Sequence, residues 1–84
     1  SSYSKVKSLS LAIAKSLAED YDVILDAVGA GAVNQAVKSV AALKQITDTP
    51  FLSDIDFFDA EINGEQKSGI RIIIKREIRG LFRR

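Results

Sequence analysis

The residues best suited to chemistry follow an apolar run in the first half of the chain. They are Gly29-Ala30-Gly31, and then, at helical spacing, Asn34, Gln35 and Lys38. Backbone N–H groups at the start of a helix attract anions. Amide side chains bind phosphates or base edges, and an ammonium group one turn further on pairs with a phosphate. The stretch is a candidate contact site for an anionic ligand.

The same two glycines match a nucleotide-cofactor loop only in part. Asn34 stands where the dinucleotide fingerprint has a third glycine or an alanine, and no second βαβ unit follows. No Gly-Lys-Ser or Gly-Lys-Thr occurs, so a Walker loop is excluded. In the plainer interpretation, Gly29 and Gly31 allow a tight strand-to-helix turn and close helix packing, and Asn34 and Gln35 lie on a solvated helix face.

A basic hairpin is the second candidate. Asn63-Gly64 supplies the positive φ angles of a two-residue hairpin turn, and Lys67, Arg71 and Lys75 follow on the returning strand. Such an arm can follow a nucleic-acid groove. It is equally an ordinary exposed hairpin with solubilising charges, and Glu65 in the turn weakens the electrostatic case.

Carboxylates are the third candidate, and catalysis is not expected from them. Asp54, Asp56 and Asp59 lie on one predicted strand, where Asp54 and Asp56 share a face. The chain has neither cysteine nor histidine, so the commonest general base and metal ligands are missing. These acids more simply protect an edge strand from aggregation. We expect no enzyme, no metal site and no cofactor.

Length and charge restrict the remaining classes. The 84 residues form one small domain, which pairing with a second copy would stabilise. The net charge is only +1, but from Gln66 to Arg84 seven basic residues accompany one acid. This asymmetry indicates an anionic partner or a solubilising tail. No apolar stretch is long enough to cross a bilayer, so we expect a soluble, cytoplasmic protein.

The periodicity predicts an α+β two-layer sandwich, with two helices on one face of a small mixed sheet. The predicted elements are a helix over 5–18 capped by Ser4, a strand over 21–28, a helix over 31–45, and strands over 52–62 and 68–76. The strand over 21–28 reads as a central strand that is buried on both faces. The apolar alternation slips at Phe57-Phe58, which predicts a β-bulge or two short strands.

Two longer strings carry a resemblance to a known family. Residues 27–38 read AVGAGAVNQAVK and residues 62–70 read INGEQKSGI. Both resemble the stage V sporulation protein S family, and the likeness extends over about Ser1 to Lys75. That family looks like the archaeal chromatin protein Alba in fold, with the order βαβαββ. The resemblance implies a homodimer with a regulatory role in sporulation that binds nucleic acid, with DNA expected before RNA.

The resemblance implies that the loop, the second helix and the hairpin contact nucleic acid. With Arg71 from the returning strand, the candidate nucleic-acid-binding residues are Gly29, Ala30, Gly31, Asn34, Gln35, Lys38, Lys67 and Arg71. We expect an Alba-like domain over 1–77 and a basic tail over 78–84. The first Alba strand is missing or precedes Ser1, and alanines replace the basic side chains of Alba's central loop.

Two other functions stay open. The surface of the Alba-like domain could serve protein interaction or dimerisation without direct nucleic-acid binding, and the neutral loop favours that alternative. A sensor of small nucleotides that uses the same loop is the more remote possibility.

Overall fold

Residues 2–77 are described by a computed structural model, and they form two layers. The elements are α1 (Ser2–Ala18), β1 (Val23–Ala27), α2 (Ala30–Ile46), β2 (Phe51–Ile62) and β3 (Glu65–Arg76). The two helices pack on one face of a three-stranded sheet, which confirms the α+β prediction. The predicted tail at 78–84 and any strand before Ser1 lie outside the described residues.

The long central strand is β3, not the strand that follows the first helix. The sheet order is β1-β3-β2, and both pairings are antiparallel, so the described sheet is not mixed. The prediction of a central strand at 21–28 is therefore wrong for the described sheet. Ile24 is 59% exposed on the face away from the helices. Consecutive isoleucines at 72–74 give β3 apolar side chains on both faces, and it pairs on both edges.

The strand β2 runs without interruption, so the prediction of a bulge or of two short strands is wrong. Its register with β3 is continuous from Phe51 opposite Arg76 to Ile62 opposite Glu65. Ile55 and Phe57 lie on the helix side of β2, yet they are 63% and 78% exposed. The core is built from the helices, β1 and β3. Apart from the half-buried Phe51, Phe58 and Ala60, β2 stays exposed on both faces, so its apolar residues need not alternate.

The core joins the helices to β3 through aliphatic side chains, with small residues where the helices meet. Ile13, Leu17, Leu43, Ile72 and Ile74 are at most 2% exposed. Ser10 and Ser39 are also fully buried. Ser39 Oγ lies 2.7 Å from the carbonyl oxygen of Gln35 and 3.3 Å from that of Val6 on α1. Small side chains allow this close approach, which fixes α1 against α2.

The ends of the helices differ slightly from the sequence prediction. The helix α1 already begins at Ser2, so Ser4 lies in its first turn and is not the N-cap. No glycine or proline interrupts the residues before Lys5, and the helix extends through them. The helix α2 begins at Ala30, one residue earlier than predicted, and it ends at Ile46.

The hairpin turn is confirmed, and it projects from the sheet. Asn63 and Gly64 have φ angles of 53° and 80°, as a two-residue turn with positive φ requires. Pairing of β1 with β3 stops where Ala27 faces Ile70. Beyond that point β2 and β3 form a two-stranded arm of about 17 Å, at ~3.4 Å per residue. The arm leaves the sheet at the end where β1 leads into α2.

Candidate nucleic-acid interface

The turn between β1 and α2 requires one of its two glycines. Gly29 has φ 94° and ψ 152°, a region that is accessible essentially only to glycine. It is the N-cap of α2, and no side chain makes a capping hydrogen bond there. The first hydrogen bond of the helix runs from Val33 N–H to the Gly29 carbonyl oxygen, at 3.0 Å. The N–H groups of residues 30–32 precede it, and they give this end of α2 a partial positive charge.

Gly31 has no structural requirement for glycine, so the prediction that it permits close helix packing is wrong. Its φ is not positive, and a Cβ atom built there would meet nothing within 4 Å. The residue lies in the first turn of a regular helix, where the space beside it is open. The missing side chain leaves backbone accessible on this surface, beside the polar residues that follow on α2.

A cleft of about 460 Å³ lies between the first half of α2 and the beginning of α1. Its lining residues are Tyr3, Val6, Gly31, Asn34, Gln35 and Lys38. The fold thus brings four of the predicted site residues to one concave surface. Gly29 and Ala30 precede it in the turn.

Sequence reasoning missed the contribution of α1 to this cleft. Tyr3 continues the apolar stripe of α1, three residues before Val6, which is the signal that could have identified it. Its side chain is 75% exposed, whereas the later residues of the stripe, Ile13 and Leu17, are buried. The apolar stripe of α1 therefore lines the cleft near the start of the helix and enters the core further along it.

The helix layer carries cations and no carboxylate. Neither α1 nor α2 contains Asp or Glu, and all eleven acidic residues of the chain lie outside them. The lysines of the two helices are Lys5, Lys7, Lys15, Lys38 and Lys44. Lys15 pairs with Glu19 at 3.5 Å. Lys38 is exposed, and within residues 2–77 it makes no ion pair. The helix layer therefore presents the uncompensated positive charge at the cleft.

Arg71 lies on the opposite face of the sheet, where it joins β3 to β1. Its Nε donates to Asp26 Oδ1 at 2.8 Å, and its Nη2 donates to Asp26 Oδ2 at 3.0 Å. The guanidinium carbon lies 5.2 Å from the centroid of the Phe58 ring. The hydrogen bonds from Arg71 lower the pKa of Asp26 and raise the pKa of Arg71 itself. Arg71 is apart from the cleft, and its role in binding stays a prediction.

Lys67 lies on the hairpin arm, and it too is outside the cleft. Its Nζ is 3.5 Å from Glu65 Oε1, and both side chains are well exposed. An exposed pair of this kind contributes little to stability. Lys67 is thus available to a ligand that reaches along the arm, although the neighbouring carboxylate reduces its effective charge.

The acidic residues of β2 do not converge. Asp54 and Asp56 share a face, as predicted, and it is the face that carries Arg71, whereas the register places Asp59 on the helix side. Among the described residues no group of three carboxylates is arranged to hold a metal ion. Neither described helix is long and apolar enough to cross a membrane.

The fold and the cleft define a small two-layer α+β protein with a cationic helix layer. The family model described as stage V sporulation protein S matches residues 1–77, which is nearly the whole chain. The chain belongs to that family. It is accordingly a sporulation-related protein.

Proposed function

We propose that this chain is a dimeric regulator that binds nucleic acid through its helix layer. The observation that carries the proposal is the cleft beside Lys38 in a layer without carboxylates. Uncompensated lysines and exposed helix N–H groups bind phosphates. Contacts of this kind supply affinity with little sequence readout. DNA is the first expectation, and RNA is the second.

The hairpin arm supplies a second contact in this proposal. It projects from the end of the sheet where α2 begins, and the register places Lys67 on the same face as Arg71, so a strand that lies on the start of α2 meets Lys67 by passing over the arm. The turn between the cleft and the arm offers the backbone N–H groups of Gly29, Ala30 and Gly31. Arg71 stays with Asp26 and holds the sheet together.

Self-association accompanies the binding function. Val37 on α2 is 45% exposed, and it lies beside Ile55, with Phe57 further along β2. Exposed apolar residues that share a surface are typical of interaction sites. We propose that a second copy covers this surface. Replacing Phe57 by Asp is expected to give a monomer in light scattering coupled to size exclusion, whereas Leu52→Asp on the other face leaves the dimer intact.

A protein-interaction module is the second candidate function, and the same apolar surface favours it. In that case the partner would be another protein and the helix lysines would only solubilise the domain. Charge reversal at Lys38 and Lys67 distinguishes the two functions. Loss of nucleic-acid binding with retained self-association supports the first candidate.

Binding is tested by fluorescence anisotropy with duplex DNA, single-stranded DNA and RNA of equal length over a salt series. We expect affinity to fall steeply as salt rises, because each phosphate contact releases counterions. Lys38→Gln is expected to weaken binding and to reduce the salt slope by about one. Lys75→Gln is the matched control, since it removes the same charge from the outer face of the sheet.

Two results contradict the proposal. The first is that no nucleic acid binds at low salt. The second is that Lys38→Gln and Lys75→Gln weaken binding equally, which would place the contact elsewhere. Circular dichroism of each variant establishes that the fold is retained.

A further inference from the structure

We propose that the cleft between α1 and α2 holds an unpaired nucleobase of a single strand, stacked on the ring of Tyr3. The inference rests on the proposed function and makes it more specific. The helix α1 then has a base-stacking role, and the domain binds single-stranded nucleic acid more tightly than duplex.

The size and lining of the cleft suit one flat aromatic ligand with a charged substituent. A volume of about 460 Å³ falls within the range of small-ligand pockets. Tyr3 is 75% exposed, so its ring is accessible for stacking, and Val6 adds an aliphatic contact. Base-aromatic stacking is the general means by which proteins hold single strands.

The polar residues of the cleft match the remaining parts of a nucleotide. Asn34 and Gln35 each carry an amide donor and an amide acceptor, which can pair with the edge of a base. Lys38 supplies a cation for the phosphate on the same surface. Gly31 contributes backbone without a side chain at the start of α2. One wall therefore offers stacking, and the other offers hydrogen bonds and charge.

These contacts require a base that is out of the duplex. In a duplex, each base face is covered by its neighbours and the pairing edge is occupied by the opposite strand. A tyrosine ring in a cleft between two helices can reach the face of a base only when that base is unstacked. A duplex can meet Lys38 through its phosphates, but it leaves Tyr3 and the amides unused.

The tyrosine fluorescence of the chain reports directly on this contact. The sequence has no tryptophan and two tyrosines, Tyr3 and Tyr21. Tyr21 lies outside the cleft, so the Tyr21→Phe variant leaves Tyr3 as the only tyrosine. Titration of that variant with oligo-dT, oligo-U, a duplex of equal length and the mononucleotide is the experiment. We expect saturable quenching with the single strands, weaker quenching with the mononucleotide and none with the duplex.

Affinity measurements on matched variants complete the test. Tyr3→Leu is expected to weaken single-strand binding about tenfold, which is within the range for loss of one stacked base. Tyr3→Phe keeps the ring and is expected to retain the affinity. Tyr21→Leu serves as the control and leaves binding unchanged. Duplex affinity is expected to be the same in all three variants.

Several outcomes overturn the inference, and they differ from failure of the proposed function. Equal binding of duplex and single strand without quenching of Tyr3 leaves a phosphate-binding protein but removes the stacked base. Quenching by the mononucleotide alone assigns the cleft to free nucleotides. Unchanged single-strand affinity in Tyr3→Leu also refutes the stacking role. Absence of binding to every nucleic acid at low salt removes the proposed function together with the inference.

Discussion

The helix layer and the outer face of the sheet each present an aromatic ring and a cation, with opposite consequences. In the helix layer, Tyr3 and Lys38 line an open cleft without a carboxylate. On the sheet, Arg71 lies over Phe58, but Asp26 accepts two hydrogen bonds from it. The residue types are alike, and the neighbouring element decides the role. A cation with a carboxylate on the next strand holds strands together, whereas a cation without one is free for a ligand.

The glycines of the two regions also differ, in the space that surrounds each of them. A Cβ atom at Gly31 would lie in open space. A Cβ atom at Gly69 would overlap the Phe58 ring and lie 2.7 Å from the Ala27 carbonyl oxygen. Gly69 therefore gives the Phe58 ring the space that it occupies beside Arg71. The side chains on the outer sheet face are therefore closely packed, whereas the space beside Gly31 in the cleft is open.

The largest expected effect is that of Gly69→Ala on stability. The added methyl group must displace Phe58 or the β1 backbone, so we expect unfolding to become about 2 kcal/mol easier, within the range for overpacking. Gly31→Ala is the matched variant, and there we expect stability to rise by about 0.5 kcal/mol or more, because alanine favours the helix. Urea unfolding followed by circular dichroism measures both. Equal stability of the two variants would refute the contrast.

The second largest effect is on the affinity for nucleic acid, and it distinguishes Lys38 from Arg71. Lys38→Glu introduces a repulsive charge in the cleft, and we expect the affinity for nucleic acid to fall about tenfold or more at low salt. Arg71→Gln is expected to change the affinity less than about twofold, since Arg71 is already engaged. Anisotropy titrations at fixed ionic strength measure both. A comparable loss in Arg71→Gln would show that the outer face takes part in binding.

Much of the layer architecture could be predicted from the sequence, because local signals determine it. The stripe through Leu9, Ile13 and Leu17 predicted α1, and Asn63-Gly64 predicted the hairpin turn. The position of β1 in the sheet could not be predicted. Its β-branched composition is typical of a central strand. Strand order, however, depends on which strand pairs along both edges while carrying apolar side chains on both faces, and in this sheet that strand is β3.

The site was predictable on one helix but not across two. Gly31, Asn34, Gln35 and Lys38 are close in the sequence, so helical spacing was enough to group them. Tyr3 enters the same cleft only because α1 crosses α2 near Ser39, which is a tertiary contact. The pairing of Arg71 with Asp26 is likewise long-range, since it joins residues 45 positions apart.

The ion pair on the sheet makes stability depend on pH. The pKa of Asp26 is lower in the folded chain than its ordinary value of 3.8, so the carboxylate contributes stability above about pH 4. That contribution is lost as the pH falls through the lowered pKa. We expect Asp26→Asn to be less stable than the parent at neutral pH and to approach it in strong acid. Thermal unfolding across the acid range measures the difference.

Asp54→Asn is the control for this effect, because Asp54 lies on the same sheet face and makes no ion pair within residues 2–77. Its stability is expected to follow that of the parent more closely across the range. If Asp26→Asn and the parent differ by the same amount at every pH, the pairing with Arg71 does not act through the charge of Asp26.

The smallest expected effect lies on the hairpin arm, which is intermediate between the two regions. Lys67 is paired as Arg71 is, but both it and Glu65 are exposed and the distance is 3.5 Å. Glu65→Gln removes the carboxylate, so we expect nucleic-acid binding to strengthen about two- to threefold at low salt, with the gain disappearing as salt rises. Asp48→Asn changes the net charge equally after the far end of α2 and is expected to give less gain. Equal gains would mean that only net charge matters, and that the arm does not contact the ligand.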